Sequence, residues 1–284
     1  MARETGSQAD TERGLKMRIV RFLDDDGREQ YGHDFHDGRA ELLEGQLFHG
    51  FRESGTRVSV RKLLAPLEPP AILCIGLNYR QHAAETRIEI PRYPVLFMKN
   101  PAAVAHPHDP IVLPAVCLNQ PQVDYEAELA VVIGKSARNV PLAEALDYVL
   151  GYTAGNDVSA RWWQQHAGAS QWVRGKSFDS FCPLGPELVT ADDLPDPQNL
   201  RLRCVLNEVV MQDGNTSDMI FSVAELITFL SQGTTLLPGT VILSGTPSGV
   251  GFVRQPPVFL QPGDVVSVAI EGLGTLTNPV IQER

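Results

Sequence analysis

Cysteine is scarce and scattered in this 284-residue chain. Its four cysteines, Cys74, Cys117, Cys182 and Cys204, form no C-x-x-C pair. That spacing excludes a disulfide framework and the common structural-zinc and thiol-redox motifs. Three of them stand in apolar runs (ILCIG, SFCPLG, LRCVL), as buried free thiols do, and a reducing compartment suits them. Long apolar runs are also absent: none approaches the roughly 18 residues of a membrane span. Basic residues are in deficit, 24 Lys and Arg against 34 Asp and Glu, for a net charge of −10. Such a surface repels phosphate backbones and anionic lipid, which argues against nucleic-acid and membrane partners. Small anionic substrates stay open, because a metal or a few buried bases can reverse the sign locally. The first 16 residues, MARETGSQADTERGLK, lack the apolar core of a signal peptide. Glu4, Asp10 and Glu12 count against a transit peptide. The expectation is a mobile extension over residues 1–16 on a cytoplasmic protein.

Glycine and proline are plentiful, at 24 and 21, and spread along the chain. With 43% hydrophobic residues this describes a globular protein of many turns and short strands. MRIVRFL, the turn signal DDDG and REQYGH predict a hairpin opening a small β-rich domain over residues 17–66. PLEPP then punctuates the chain. Beyond it AILCIGL, VLFMK, IVLP, DYEAELAVVIG and YVLGYTAGND predict strands, as do RLRCVLN, TVILSG and DVVSVAI. Two helices are predicted, near PLAEALDYV and near SVAELITFLSQ. The fold class expected is α+β, mainly β, with a larger domain over residues 71–284.

Residues 124–133, DYEAELAVVI, have the composition of a strand interior. Strand side chains alternate, so Glu126 and Glu128 share one face and Ala127, Leu129, Val131 and Ile133 the other. Neighbouring carboxylates repel unless a cation lies between them, and oxygen ligands select hard ions. An edge strand with its polar face in water is the competing reading. Asp157, ending YVLGYTAGN, places a third acid at a strand terminus. In GLNYRQHAAE, His82 and Glu85 stand three apart and share a face on a helical turn. A carboxylate on one ring nitrogen would fix the tautomer and leave the other to accept a proton from water. An exposed polar pair is the alternative there. The triplet Gly175-Lys176-Ser177 is no phosphate loop, because position 170 is Ser170 where that motif needs glycine. The Gly-rich turn from Gly245 to Gly251 is either a plain loop or a set of backbone donors for an anion. His106-Pro107-His108-Asp109 mimics a metal cluster inside a Pro-rich turn, and Asn215-Thr216-Ser217 matches a glycosylation sequon.

In this order these stretches, with VLFMKNPAA, GYTAGNDVSAR, GKSFDSFCPLGP, DGNTSDMIFS and GTPSGVG, resemble the fumarylacetoacetate hydrolase family over about residues 71–284. The resemblance implies a mixed β-sandwich roll, a homodimer, and Mg²⁺ or Mn²⁺ held by Glu126, Glu128 and Asp157. It implies that His82 and Glu85 activate water and that Lys176 is the active-site lysine. Tyr79, Arg161, Gln164 and Thr246 fall on substrate-contacting positions. Ser180 stands where the animal fumarylacetoacetate enzymes have threonine. The segment before residue 66 resembles the short N-terminal unit of smaller bacterial-type members. The implied activity is hydrolysis of a C–C bond in a 2,4-dioxo acid of the acylpyruvate type. An isomerase of 2-hydroxyhepta-2,4-diene-1,7-dioate type and an oxaloacetate decarboxylase are the alternatives on the same residues. A non-catalytic metal or small-acid binding protein is a third class, against which intact His82, Glu85 and Lys176 speak.

Overall fold

The residues either side of the DDDG turn form the expected hairpin: β1 (Arg18–Leu23) pairs antiparallel with β2 (Glu29–His36). The structure, a computed structural model, describes residues 16–119 and 122–284, so all but the last residue of the extension expected over 1–16 lies outside the described residues. The first unit continues through β3 (Arg39–Gln46), β4 (Gly50–Ser59) and β5 (Lys62–Leu64). Then follow β6 (Ile72–Gly76), helix α1 (Arg80–Thr86), β7 (Val95–Lys99), β8 (Val104–Ala105), β9 (Ile111–Leu113) and β10 (Val123–Asp124). The centre of the chain holds β11 (Ala127–Ile133), β12 (Val149–Asn156), β13 (Ser159–Ala160), α2 (Arg161–Gln165) and α3 (Val173–Lys176). The last third is β14 (Cys182–Thr190), β15 (Arg201–Leu206), β16 (Val209–Asn215), α4 (Val223–Ser231), β17 (Val241–Leu243), β18 (Val265–Ile270) and β19 (Gly274–Gln282).

A long sheet runs β4-β3-β2-β1-β14-β12-β11-β17-β6-β7, with β5 added to β1 and β8 to β14. A second sheet runs β16-β15-β18-β19-β9. The pairs β17·β6, β14·β8 and β19·β9 are parallel, so the architecture is a mixed sandwich, mainly β. The β1·β14 pairing makes the first five strands part of the long sheet.

All seven residues of β11 are buried, because β12 and β17 flank it and both of its faces are covered. Leu129, Val131 and Ile133 join Leu202, Cys204, Val266 and Val268 of the second sheet in the main core. Ala130 and Val132 face the other way, into a cluster with Met17, Ile19, Leu43 and Leu47 from the N-terminal strands. The edge-strand alternative for 124–133 therefore does not hold. The run is broken in two by Tyr125 and Glu126, which belong to neither β10 nor β11.

Helix α4 follows its sequence signal: Ser222 and Glu225 form a reciprocal capping box. PLAEALDYV folds instead as a 3-10 helix, Leu142–Tyr148. Helices α1, α2 and α3 have seven, five and four residues, too few to carry a helical period.

Candidate active site

Glu126 and Asp157 are clamped by backbone. Asp157 N donates to Glu126 O at 2.9 Å, and Glu126 N donates to the Asn156 side chain at 3.0 Å. Strand pairing of Glu128 with Gly155 then brings a third acid alongside. Ligand atoms of Glu126, Glu128 and Asp157 all lie within 4.8 Å of one another, and all three residues are buried.

Lysines and one arginine surround them. Lys176 Nζ donates to Glu126 Oε2 at 2.7 Å and Asp157 Oδ2 at 2.8 Å. Lys99 Nζ donates to Asp157 Oδ1 at 2.5 Å and Val158 O at 3.1 Å. Arg161 lies 2.7 Å from Glu126 Oε1 and also donates to Asp124 and Gln164. Lys176 can enter because Gly175 leaves room: a Cβ there would fall 2.5 Å from the Gln164 nitrogen. Burial would raise the Glu126 carboxyl, but Lys176 and Arg161 hold it at about 2. Burial likewise works against the Lys176 ammonium, and Asp157 and Glu126 outweigh it, raising its pKa.

Glu128 differs. Its hydrogen bond comes from Gly245 N, at 2.7 Å, and among the described residues no basic side chain forms a salt bridge with it. Burial first, then Asp157 and Glu126, push its carboxyl well above the usual range. Around the site, four buried acids (Asp124, Glu126, Glu128, Asp157) face three buried bases (Lys99, Arg161, Lys176). One negative charge is left over, and a divalent cation among the three carboxylates would turn that deficit into one net positive charge. The donor set, all oxygen, fits a hard cation.

Helix α1 is set by Asn78, which accepts from Phe221 N and donates to Phe221 O and Ser244 O. On it, His82 Nδ1 lies 3.2 Å from Glu85 Oε2, and Gly249 N donates to both Glu85 oxygens. The Gly-rich turn thus spends its donors on the protein's own acids: Gly245 on Glu128, Gly249 on Glu85, and Gly251 on Asp124 at 2.8 Å. A cavity of about 360 Å³ opens over these groups, lined by His82, Glu126, Glu128, Arg161, Gln164 and Lys176 among others. Thr246 lines it too, although its hydroxyl is held by Ala127 O and Gln212.

Of the expected site residues, Tyr79 stands farthest from this arrangement in its contacts, since it forms no hydrogen bond or ion pair with the buried acids and bases among the described residues. It is fully buried in the main core and does not line the cavity. Asp157 and Glu85 also lie off the cavity lining; each reaches it through Lys176 or His82. Among the described residues His106 and His108 join no metal-ligating cluster; the His106 ring accepts from Ala65 N at 3.0 Å. Sequence reasoning missed Lys99 and Asp124. Lys99 shares a strand face with buried Phe97, and Asp124 has the parity of Glu126, so alternation carried a signal for both.

A mixed β sandwich with a buried carboxylate trio and buried lysines under a small cavity fits a class: enzymes that act on small molecules. The sequence profile of the fumarylacetoacetate (FAA) hydrolase C-terminal family matches residues 71–281, and the chain belongs to the fumarylacetoacetate hydrolase family. It is 48% identical over 228 residues to a fumarylacetoacetate hydrolase domain-containing protein 2 homolog of Dictyostelium discoideum, covering 77% of this chain and 74% of that one. It is 48% identical to a mitochondrial oxaloacetate tautomerase of Xenopus laevis, covering 77% and 68%. Among solved structures it is similar to a 2-hydroxyhepta-2,4-diene-1,7-dioate isomerase from Mycobacterium marinum, at 39% identity and a TM-score of 0.80, covering 94% and 99%. The cytoplasmic expectation is corrected by these relatives, several of which are mitochondrial by name. It rested on the composition of residues 1–16, nearly all of which lie outside the described residues, and on free cysteines, which suit any reducing compartment. Among the described residues no helix is long and apolar enough to cross a membrane.

Proposed function

We propose that the chain interconverts the keto and enol forms of a short 2-oxo acid of the oxaloacetate kind, with Mg²⁺ or Mn²⁺ held by Glu126, Glu128 and Asp157. The observation that carries this reading is the buried charge deficit at Glu128, beside a cavity otherwise provided with bases. The relatives named as oxaloacetate tautomerases support it. A bound cation would supply Lewis acidity toward the oxo and carboxylate oxygens of the substrate, which lowers the cost of enolisation. Arg161 and Gln164 orient the substrate. Lys176 keeps its proton and stands beside the negative charge that develops on enolisation. His82, steadied at Nδ1 by Glu85, offers Nε2 as the proton carrier.

That same pair favours a second reading, hydrolysis of an acylpyruvate-type C–C bond, since Nε2 could equally take a proton from water. In either case the chemistry belongs to residues 71–284, while the strands of residues 17–66 extend the long sheet beyond β14. A homodimer is part of the proposal: β7 ends that sheet and exposes Leu96 and Met98. Light scattering should give twice the 31.1 kDa chain mass, and a concentration-independent monomer would refute this part.

Product analysis tests the activity. With Mg²⁺ present, the protein should speed decay of enol-oxaloacetate absorbance without releasing pyruvate. Pyruvate release from acylpyruvates, with enol decay unchanged, would replace the first reading by the second.

A further inference from the structure

The bases of the cavity all lie on its floor. Among the described residues lining it, the side chains able to carry positive charge are His82, Arg161 and Lys176, and each is buried. The way out crosses apolar surface. Lys176 Nζ lies 5.1 Å from the Phe97 ring centre, and Phe97 meets Trp172 edge-on at 5.3 Å. Trp172 is seated against the backbone of Gly76, where a Cβ would fall 2.4 Å from Cζ3, so the sequence keeps this wall in place with a glycine. The exposed rim carries Ile88, Glu89 and Gln165, which supply one acid and no base. The arginines of the rim segment, Arg87 and Arg92, do not line the cavity, and Arg92 stacks on Tyr93 beside a separate groove.

We infer that the site selects compact 2-oxo diacids, of about four or five carbons, and turns away longer dioates. The inference rests on the 2-oxo-acid reading above and deepens it. With the 2-oxo carboxylate end at the carboxylate trio, a short diacid keeps its second carboxylate beside Arg161 and Lys176. In a seven-carbon dioate the far carboxylate is carried outward along Phe97 and Trp172. There it loses water without gaining a partner, and at the rim it meets Glu89. An uncharged tail of the same length meets neither penalty and gains contact with the aromatic wall.

Titration calorimetry on Mg²⁺-loaded protein separates these cases. One series is oxaloacetate, 2-oxoglutarate, 2-oxoadipate and 2-oxopimelate; the other is the 2-oxo monoacids of matching length. Kd in the diacid series should rise at least about tenfold from the shortest to the longest, with no such rise among the monoacids. Glu89→Lys should shrink the ratio between the longest and shortest diacid several-fold. A diacid series that binds with flat or improving affinity overturns this inference alone. Failure of both series to bind overturns the 2-oxo-acid reading and this inference with it.

Discussion

His33, Glu41 and Glu53 gather on the N-terminal strands much as Glu126, Glu128 and Asp157 gather at the ends of β11 and β12. In the outer group the His33 ring stands 3.9 Å from Glu41 and 3.8 Å from Glu53, beyond hydrogen-bond reach, and the Glu53 side chain is 59% exposed. Water reaches Glu53 most and His33 and Glu41 less, at 17% and 23% exposure, and the loose distances leave these groups weakly coupled. The inner group has no water to screen it. Its repulsion is met by Lys99, Lys176 and Arg161 at fixed distances, and the part that is not met falls on Glu128. Three ligand-type side chains within reach of each other do not make a site. An uncompensated charge, held where solvent cannot relieve it and beside a cavity, does.

The largest expected effect breaks the inner group. Glu128→Gln should weaken Mn²⁺ binding by more than about 100-fold, beyond the loss typical for an outer partner of a metal ligand, and abolish turnover. Glu41→Gln with Glu53→Gln should change neither. Comparable weakening by the outer pair, in a Mn²⁺ titration, would erase the distinction. In the metal-free protein Glu128→Gln should raise the melting temperature near neutral pH. A carboxyl whose folded pKa is raised loses stability as pH rises from its unfolded value, so the gain should grow with pH.

Next in size is His82→Ala. It should lower kcat by about 10²–10⁴-fold, the usual share of a general base, while Mn²⁺ affinity stays nearly constant because the imidazole is no ligand in this assignment. Glu85→Gln should cost less, since it disturbs the ring without removing it. Unimpaired turnover in His82→Ala would remove the proposed proton carrier.

How far the sequence disclosed this site depended on parity and termini. Glu126, Glu128 and Asp157 were legible because two acids at i and i+2 in an apolar run, and a third at the end of another, are costly without a reason to be there. Lys99 was not, because a lysine closing VLFMK looks like an ordinary surface residue until its face is shared with Phe97. Tyr79 falls on a substrate-contacting position by the family resemblance alone, and nothing in its neighbourhood in sequence reveals that its ring is buried in the main core. Strand β14 went unread because Pro183, Gly185 and Pro186 interrupt it, yet it joins the N-terminal strands to the catalytic sheet.

The smallest effect tests the outer unit through Glu29. Its carboxylate accepts from buried Arg21 at 2.6 and 2.7 Å, and that hydrogen bonding lowers its pKa against the opposing effect of burial. A carboxyl with a depressed folded pKa gives stability that is complete above its unfolded value, near 4.3, and is lost as pH falls through the folded value. Half of the Glu29 side chain (48%) is exposed, so the contribution should be about 0.2–1 kcal/mol. Glu29→Gln should therefore lower the melting temperature by about 0.4–4 °C at pH 7. The difference should shrink as pH drops below about 4, and the variant should leave Mn²⁺ affinity and turnover unaltered. A pH-independent difference would mean that the side chain acts through packing, with no electrostatic part.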